Sequence, residues 1–408
     1  MRFNLKRARL MNDIVMPVAI ILIFVPPSMV YLAAFIMPAV YLMQKIVFMF
    51  SAYYFLRYRL FDDKNFLLVL GFIAFILGVT YYNGESLTEI GSYLNLFSLC
   101  VITVYCLKSD SLRYTRWVST ILTVLIFMNT MLWKSGGTYV NTVGQECFLL
   151  GTKTSITEYQ ITASCYISLY LYLLPKKEKY KGVFLLAVMS FSIIIFYFLQ
   201  PVSTSAVCLL IYIGLLLIQN KVEFVTRKIY KYGFLASIAL NIGIVFFNIQ
   251  FLFSNFITNV LHEQPDLNYR TAIWQVVMTQ IVKHPIIGHG VNSGITFAVG
   301  TGGVAQFNQA THNHLLYLLF IGGAVGTCYF FILCIMALKK SGIRFSSGQV
   351  IHITFICFGI MWITEQLKTF DWFFMCLLAG LCVNYIECAK YKADKKNNDK
   401  LQERYGLR

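Results

Sequence analysis

FLLAVMSFSIIIFYFL, residues 184–199, has no charged residue and no face to offer water. Apolar side chains fill every position around a helical turn. They do not recur at i, i+3 and i+4, as on a helix half in water, and they do not alternate as in a half-buried strand. With its neighbours the run reaches the roughly 18 residues that a helix needs to cross the hydrocarbon of a bilayer. FLLVLGFIAFILGV, residues 66–79, repeats the pattern.

The rest of the chain agrees. Of its 408 residues, 58% are hydrophobic and only 13% charged, where a soluble domain carries about 25% charge. The expected fold is an all-α polytopic membrane protein of about twelve transmembrane helices. The spans fall near residues 13–31, 34–56, 65–82, 89–107, 115–133, 156–174, 182–200, 202–219, 232–254, 314–337, 349–366 and 370–388. Nine lie in 1–254 and three in 314–390. Residues 255–313 form one large extracytoplasmic loop containing short helices, and 391–408 a basic tail. The basic start MRFNLKRAR resembles a signal peptide, but no small-residue cleavage site follows, so it reads as the lead of a retained first helix. Pro26 and Pro27 kink or shorten that helix.

The net charge of +16 invites a nucleic-acid reading, which its placement excludes. Of the 34 basic residues, 28 fall in one alternating set of connections and the tail. That set includes Arg57, Arg59 and Lys64, then Lys108, Arg113 and Arg116, and then Lys176, Lys177, Lys179 and Lys181. The opposite face holds Lys134, Lys153, Arg270, Lys283 and Lys368. Basic residues collect on the cytoplasmic side, so both termini are expected inside. The eleven cysteines contain no CxxC and no metal-like spacing, and read as small buried hydrophobes.

The large loop is not low in complexity. NYRTAIWQVVMTQIVK, residues 268–283, sets Ile273, Val276, Val277, Gln280 and Ile281 on one helical face before Pro285 stops it. HPIIGHG follows, with Gly288 and Gly290 permitting close backbone approach. Five of the six histidines lie in or beside this loop: His262, His284, His289, His312 and His314. THNH, residues 311–314, stands where an unbroken apolar run begins. A polar cluster there destabilises the chain unless it meets water, partners or a substrate.

Arg270 with Trp274, then His284-Pro285-Ile286-Ile287-Gly288-x-Gly290, His312-Asn313, and Gly322, Gly323 and Gly326 in the next helix resemble the motif of the O-antigen ligase and polymerase superfamily. The resemblance covers about sixty residues, and the topology extends it to the chain. It implies a membrane glycosyltransferase whose donor is a glycan on undecaprenyl pyrophosphate. The acceptor is a sugar hydroxyl, and no cofactor takes part. Arg270 and His312 are then the catalytic pair. Arginine donates two hydrogen bonds to phosphate oxygens without losing its charge, and histidine accepts a proton near neutral pH. Lys153, Asn313, His314, Trp274, Gly288 and Gly290 are the candidate substrate-binding residues, with packing or a membrane-interface anchor as the plainer reading of Trp274 and helix capping as that of His314. A salt bridge from Arg270 to Glu263 or Asp266 is the plainer reading of the arginine. No metal is expected, because no tight histidine pair has ligand spacing.

One departure stands out. Many members of that superfamily carry a Ser-Arg pair at the outward start of a middle span. Here the place reads QPVSTSAV, with Ala206 after Ser205. Lys153 is the candidate replacement cation. The resemblance favours repeat-unit polymerisation into a capsule, exopolysaccharide or O-antigen, with transfer to another acceptor, as by a ligase, the alternative. Expected partners are the lipid-linked oligosaccharide, the bilayer, a flippase and a chain-length regulator. A transporter or flippase is the competing class, against which stand the lack of an intramembrane carboxylate cluster and of inverted-repeat symmetry.

Overall fold

The computed structural model describes residues 16–23, 34–85, 90–136, 138–140, 146–218, 223–259, 270–291, 297–301, 304–308, 310–343, 346–367 and 370–404. His262, Glu263, Asp266, Pro26, Pro27 and Lys368 lie outside them, as does part of the 255–313 segment.

The described chain is overwhelmingly helical, in the order α1 (Met16–Ile23), α2 (Met37–Arg57), α3 (Lys64–Tyr82) and α4 (Ile90–Lys134). After strands β1 (Tyr139–Val140), β2 (Glu146–Phe148) and β3 (Gly151–Thr152) come α5 (Ile156–Leu173), α6 (Lys179–Leu199), α7 (Ser203–Ile218) and α8 (Glu223–Phe247). The short α9 (Ser254–Asn259) and α10 (Arg270–Ile281) precede strands β4 (Phe297–Thr301) and β5 (Val304–Asn308). The chain ends in α11 (His314–Ser341), α12 (Ser346–Thr364), α13 (Asp371–Leu381) and α14 (Val383–Arg404). Seven helices are long and apolar enough to cross a membrane, and α13 with α14, bent by 61°, makes a possible eighth.

Two small antiparallel sheets were not anticipated. One orders β1, β2 and β3; the other pairs β4 with β5, matching Thr301 to Val304 across the sequence Gly302-Gly303. A Gly-Gly pair between β-formers is a hairpin signal that the helical periodicity elsewhere overshadowed.

α4 runs for 45 residues and departs from helical geometry only at Asp110, with ψ 77°. The Asp110 carboxylate accepts from the Arg113 backbone N–H at 3.2 Å, capping the second arm where it begins. The expected spans 89–107 and 115–133 fall on the two arms of this one helix.

The core centres on α12, where every residue from Ser347 to Ile363 except Gln349 and Ile360 is buried. Phe330 of α11, Phe355, Phe358 and Trp362 of α12 and Phe373 of α13 form one aromatic cluster, with ring centroids 5.0–6.3 Å apart. Within lipid, helices gain nothing by leaving one apolar medium for another, so close packing and small residues hold them together. Gly359 accordingly admits Ser237 of α8, and Gly71 of α3 admits Tyr329 of α11.

Side-chain bonds join residues at the same end of the bundle. At one end Lys108 meets Asp63 at 2.7 Å, Tyr172 donates to Glu387 at 2.6 Å, and His352 meets the Tyr230 carbonyl at 2.7 Å. That end carries the basic connections. The residues of THNH gather at the other.

Candidate functional site

The first turn of α11 needs an acceptor for its unpaired N–H groups. Asn313 supplies it: its side-chain oxygen accepts from Leu316 N at 3.0 Å, making Asn313 the N-cap. The amide nitrogen donates to Asn241 Oδ1 of α8 at 2.8 Å and to the Ile363 carbonyl of α12 at 3.1 Å. Asn313 is fully buried, and it ties three helices together.

Thr311 is equally fixed. Its N–H and hydroxyl both reach Gln366 Oε1, at 2.6 and 2.7 Å, and its carbonyl accepts from the Trp274 indole at 3.1 Å. Between these anchors His312 takes φ +50°, a left-handed conformation that a β-carbon disfavours. Such backbone persists only where its surroundings over-determine it, and the locked residues on both sides do so.

The imidazole faces a carboxylate. Glu365, in the short connection after α12, places Oε2 4.0 Å from His312 Nδ1 and Oε1 2.8 Å from Arg270 Nη2. The first distance is too long for a hydrogen bond; the second is a charge-assisted hydrogen bond. The side chains of His312 and Arg270 remain 26% and 20% exposed, against 10% for Glu365. The acid thus sits beneath two accessible functional groups and touches both.

Arg270 and His312, expected as a pair, meet through a residue that the motif reading missed. Glu365 stands in TEQLKTFD between two apolar spans, where an acid in a short connection was the available signal. The arginine's described partner is this residue.

Other candidates are enclosed by protein. Trp274 is 1% exposed and spends its indole N–H on Thr311, a packing position rather than a surface open to substrate. His314 is fully buried among Tyr317, Phe330, Trp362 and Phe370, and its Nδ1 accepts from Leu367 N at 3.3 Å. It neither caps the helix nor presents a surface to a substrate.

Gly288 and Gly290 do allow close approach, but to the protein itself. α11 breaks at Gly323, with φ +59° and ψ −161°, roughly 14 Å below His314 at 1.5 Å per residue. Residues 285–290 dock into this break. His289 N and Gly290 N donate to the carbonyls of Phe320 and Ile321 at 2.7 and 2.9 Å, and Ala324 N and Val325 N donate back to Pro285 and Ile286 at 2.9 and 3.0 Å. Every orphaned group named here finds a partner, which makes irregular backbone tolerable at that depth. A β-carbon at Gly288 would lie 2.5 Å from Gly323 N, and one at Gly290 2.6 Å from Thr80 Cα.

Lys153 is exposed in a 3-10 turn before α5, and no hydrogen bond or ion pair among the described residues joins it to Arg270, Glu365 or His312. Its helix nevertheless reaches the start of α13: the ring centroids of Tyr159 and Trp372 lie 4.2 Å apart. The QPVSTSAV stretch comes closer, through a 3.0 Å bond between Thr204 and Thr364, the neighbour of Glu365. No described group of three or more metal-ligating side chains has the geometry to hold a metal ion. No protein-family model and no curated protein matches the chain.

Proposed function

We propose that the protein is a membrane glycosyltransferase that joins undecaprenyl-pyrophosphate-linked oligosaccharide repeat units into a surface polysaccharide at the outer face of a bacterial cytoplasmic membrane. The observation that carries this reading is the Arg270–Glu365–His312 constellation at the bundle end remote from the basic connections. A donor of this class keeps its tail in the bilayer and its pyrophosphate at headgroup depth, where Arg270 balances the charge of the departing group. The acceptor hydroxyl attacks the anomeric carbon of the donor glycan. Its proton passes to His312, the C–O bond to pyrophosphate breaks, and the electron pair leaves on the pyrophosphate oxygen. Glu365 is the positioning residue. Its negative charge favours the imidazolium formed at His312 and holds the guanidinium at the site.

The topology belongs to the same proposal. α4 is too long for one crossing, at about 68 Å against a hydrocarbon core of about 30 Å, and supplies two. With α1, α5, α7 and the α13–α14 pair the crossings number twelve, both termini lie in the cytoplasm, and the 255–313 segment faces outward. A flippase supplies the donor on that side, and a chain-length regulator sets the product.

The test is turnover by the purified full chain in sealed proteoliposomes with a lipid-linked repeat unit as sole substrate. A ladder of products, absent with Arg270→Ala, supports the polymerase. A product formed only when a separate glycan acceptor is added favours a ligase. Donor crossing the bilayer without any new glycosidic bond overturns the enzyme reading in favour of a flippase.

A further inference from the structure

At the opposite end of the bundle the second arm of α4, the C-terminal turn of α5 and the start of α6 enclose an open cleft of about 380 Å³. Arg116 and Thr120 line it from α4, Tyr170 from α5, and Tyr180, Lys181 and Phe184 from α6. Two cations from different helices therefore share one opening. Lys181 is partly neutralised by Glu178 at 2.6 Å. Arg116 is not: Arg113 pairs with Asp110 and Arg59 with Asp62, whereas Arg116 has no carboxylate partner among the described residues and lies 5.3 Å over the Trp117 ring. Lys176, Lys177 and Lys179, all before or at the start of α6, add positive charge nearby.

The cleft continues as an apolar track. On α4 the exposed side chains beyond Arg116 and Thr120 are Val124, Phe127, Met128 and Met131, on one helical face. On α6, Phe184, Phe191 and Phe198 continue the face of Tyr180. α4 and α6 pack against each other. A cationic mouth at one bundle end thus opens onto two greasy ridges running along the helices, complementary to a phosphate headgroup with its acyl chains.

We infer that this cleft binds an anionic glycerophospholipid of the inner leaflet, with Arg116 and Lys181 on the phosphate and the α4–α6 ridges along an acyl chain. The site rests on the orientation set by the basic connections and is independent of the outer-face chemistry. Basic pockets between transmembrane helices on the cytoplasmic side recognise lipid headgroups in this way.

Native mass spectrometry of the detergent-purified full chain tests it, with phosphatidylglycerol, phosphatidylcholine and inorganic phosphate as probes. Phosphatidylglycerol is expected to stay bound in preference to phosphatidylcholine. The Arg116→Gln/Lys181→Gln variant should lower its retention about tenfold, and Arg116→Lys should keep most of it, which separates lost charge from lost fold. Equal retention of the two lipids by the parent protein, or unchanged phosphatidylglycerol binding in the double variant, overturns the site. Displacement of phosphatidylglycerol by millimolar inorganic phosphate overturns the lipid assignment and makes the occupant a soluble phosphate-bearing solute.

Discussion

Glu365 accepts a 2.8 Å hydrogen bond from Arg270 across 95 residues of sequence, joining the start of α10 to the turn after α12. Both side chains are mostly buried, and the acid's second oxygen is turned toward His312. A carboxylate shared by a cation and an imidazole can bear on both fold and chemistry, and substitution separates the two.

Glu365→Gln keeps the shape and removes the charge. Breaking a buried pair costs about 3–5 kcal/mol, and partial exposure brings this site toward about 1–2 kcal/mol. The variant should express and melt a few degrees lower in detergent, while polymer formation falls tenfold or more. Parental turnover would remove Glu365 from the mechanism.

His312→Gly distinguishes strain from chemistry. Glycine accepts φ +50° without the β-carbon penalty, so the variant should melt no lower than the parent. Its glycan product should nevertheless disappear, as for His312→Ala. A long-chain ladder at normal amounts from either variant would end the assignment of His312 as the base.

Two glycines of similar backbone conformation should respond differently. Gly84, at φ +70°, has open space where a β-carbon would go, whereas Gly288, at φ +75°, has the backbone of Gly322 and Gly323 within 2.6 Å. Gly84→Ala bears conformational strain alone, about 1–2 kcal/mol, and should fold. Gly288→Ala should be lost from the membrane fraction or elute as aggregate in size-exclusion chromatography. Normal folding of Gly288→Ala would show that the 285–290 segment can leave the α11 break without cost.

Acid should weaken the bundle end that holds Asp63 and Lys108. Burial raises the Asp63 carboxyl, but the bond and charge of Lys108 more than offset this and hold it below the usual carboxylate range. A group lowered in the folded state stabilises above its unfolded pKa, about 3.9, and loses that contribution as pH falls through the folded value. Melting temperature should therefore drop below about pH 4, and Asp63→Asn should flatten that part of the profile while lowering stability at neutral pH. An unchanged acid limb in Asp63→Asn would show that the pair contributes nothing measurable.

Much of the architecture was legible locally. Runs such as 184–199 announce helices because lipid leaves no other way to satisfy the backbone, and the ends of α10 fall within two residues of the helical stretch 268–283. The site was legible in part. Arg270 and His312 stand out because a cation set against the expected charge bias, and a polar cluster at the start of an apolar run, each call for a partner. Asn313, His314 and Trp274 stand out for the same composition, yet burial puts them in the scaffold. Periodicity cannot distinguish a histidine at a rim from one two residues further on with its ring among Phe330, Trp362 and Phe370.

The amino-acid sequence alone determined that the chain is a membrane protein, where its helices run and which connections are basic, because hydropathy and charge placement act locally along the chain. Only the tertiary structure decided that Glu365 joins Arg270 to His312, that Gly288 and Gly290 close onto a break in α11, and that Arg116 shares a cleft with Lys181. These depend on which helices become neighbours. In an apolar solvent that choice is made by packing and a few long-range hydrogen bonds, which leave no periodic trace in the sequence.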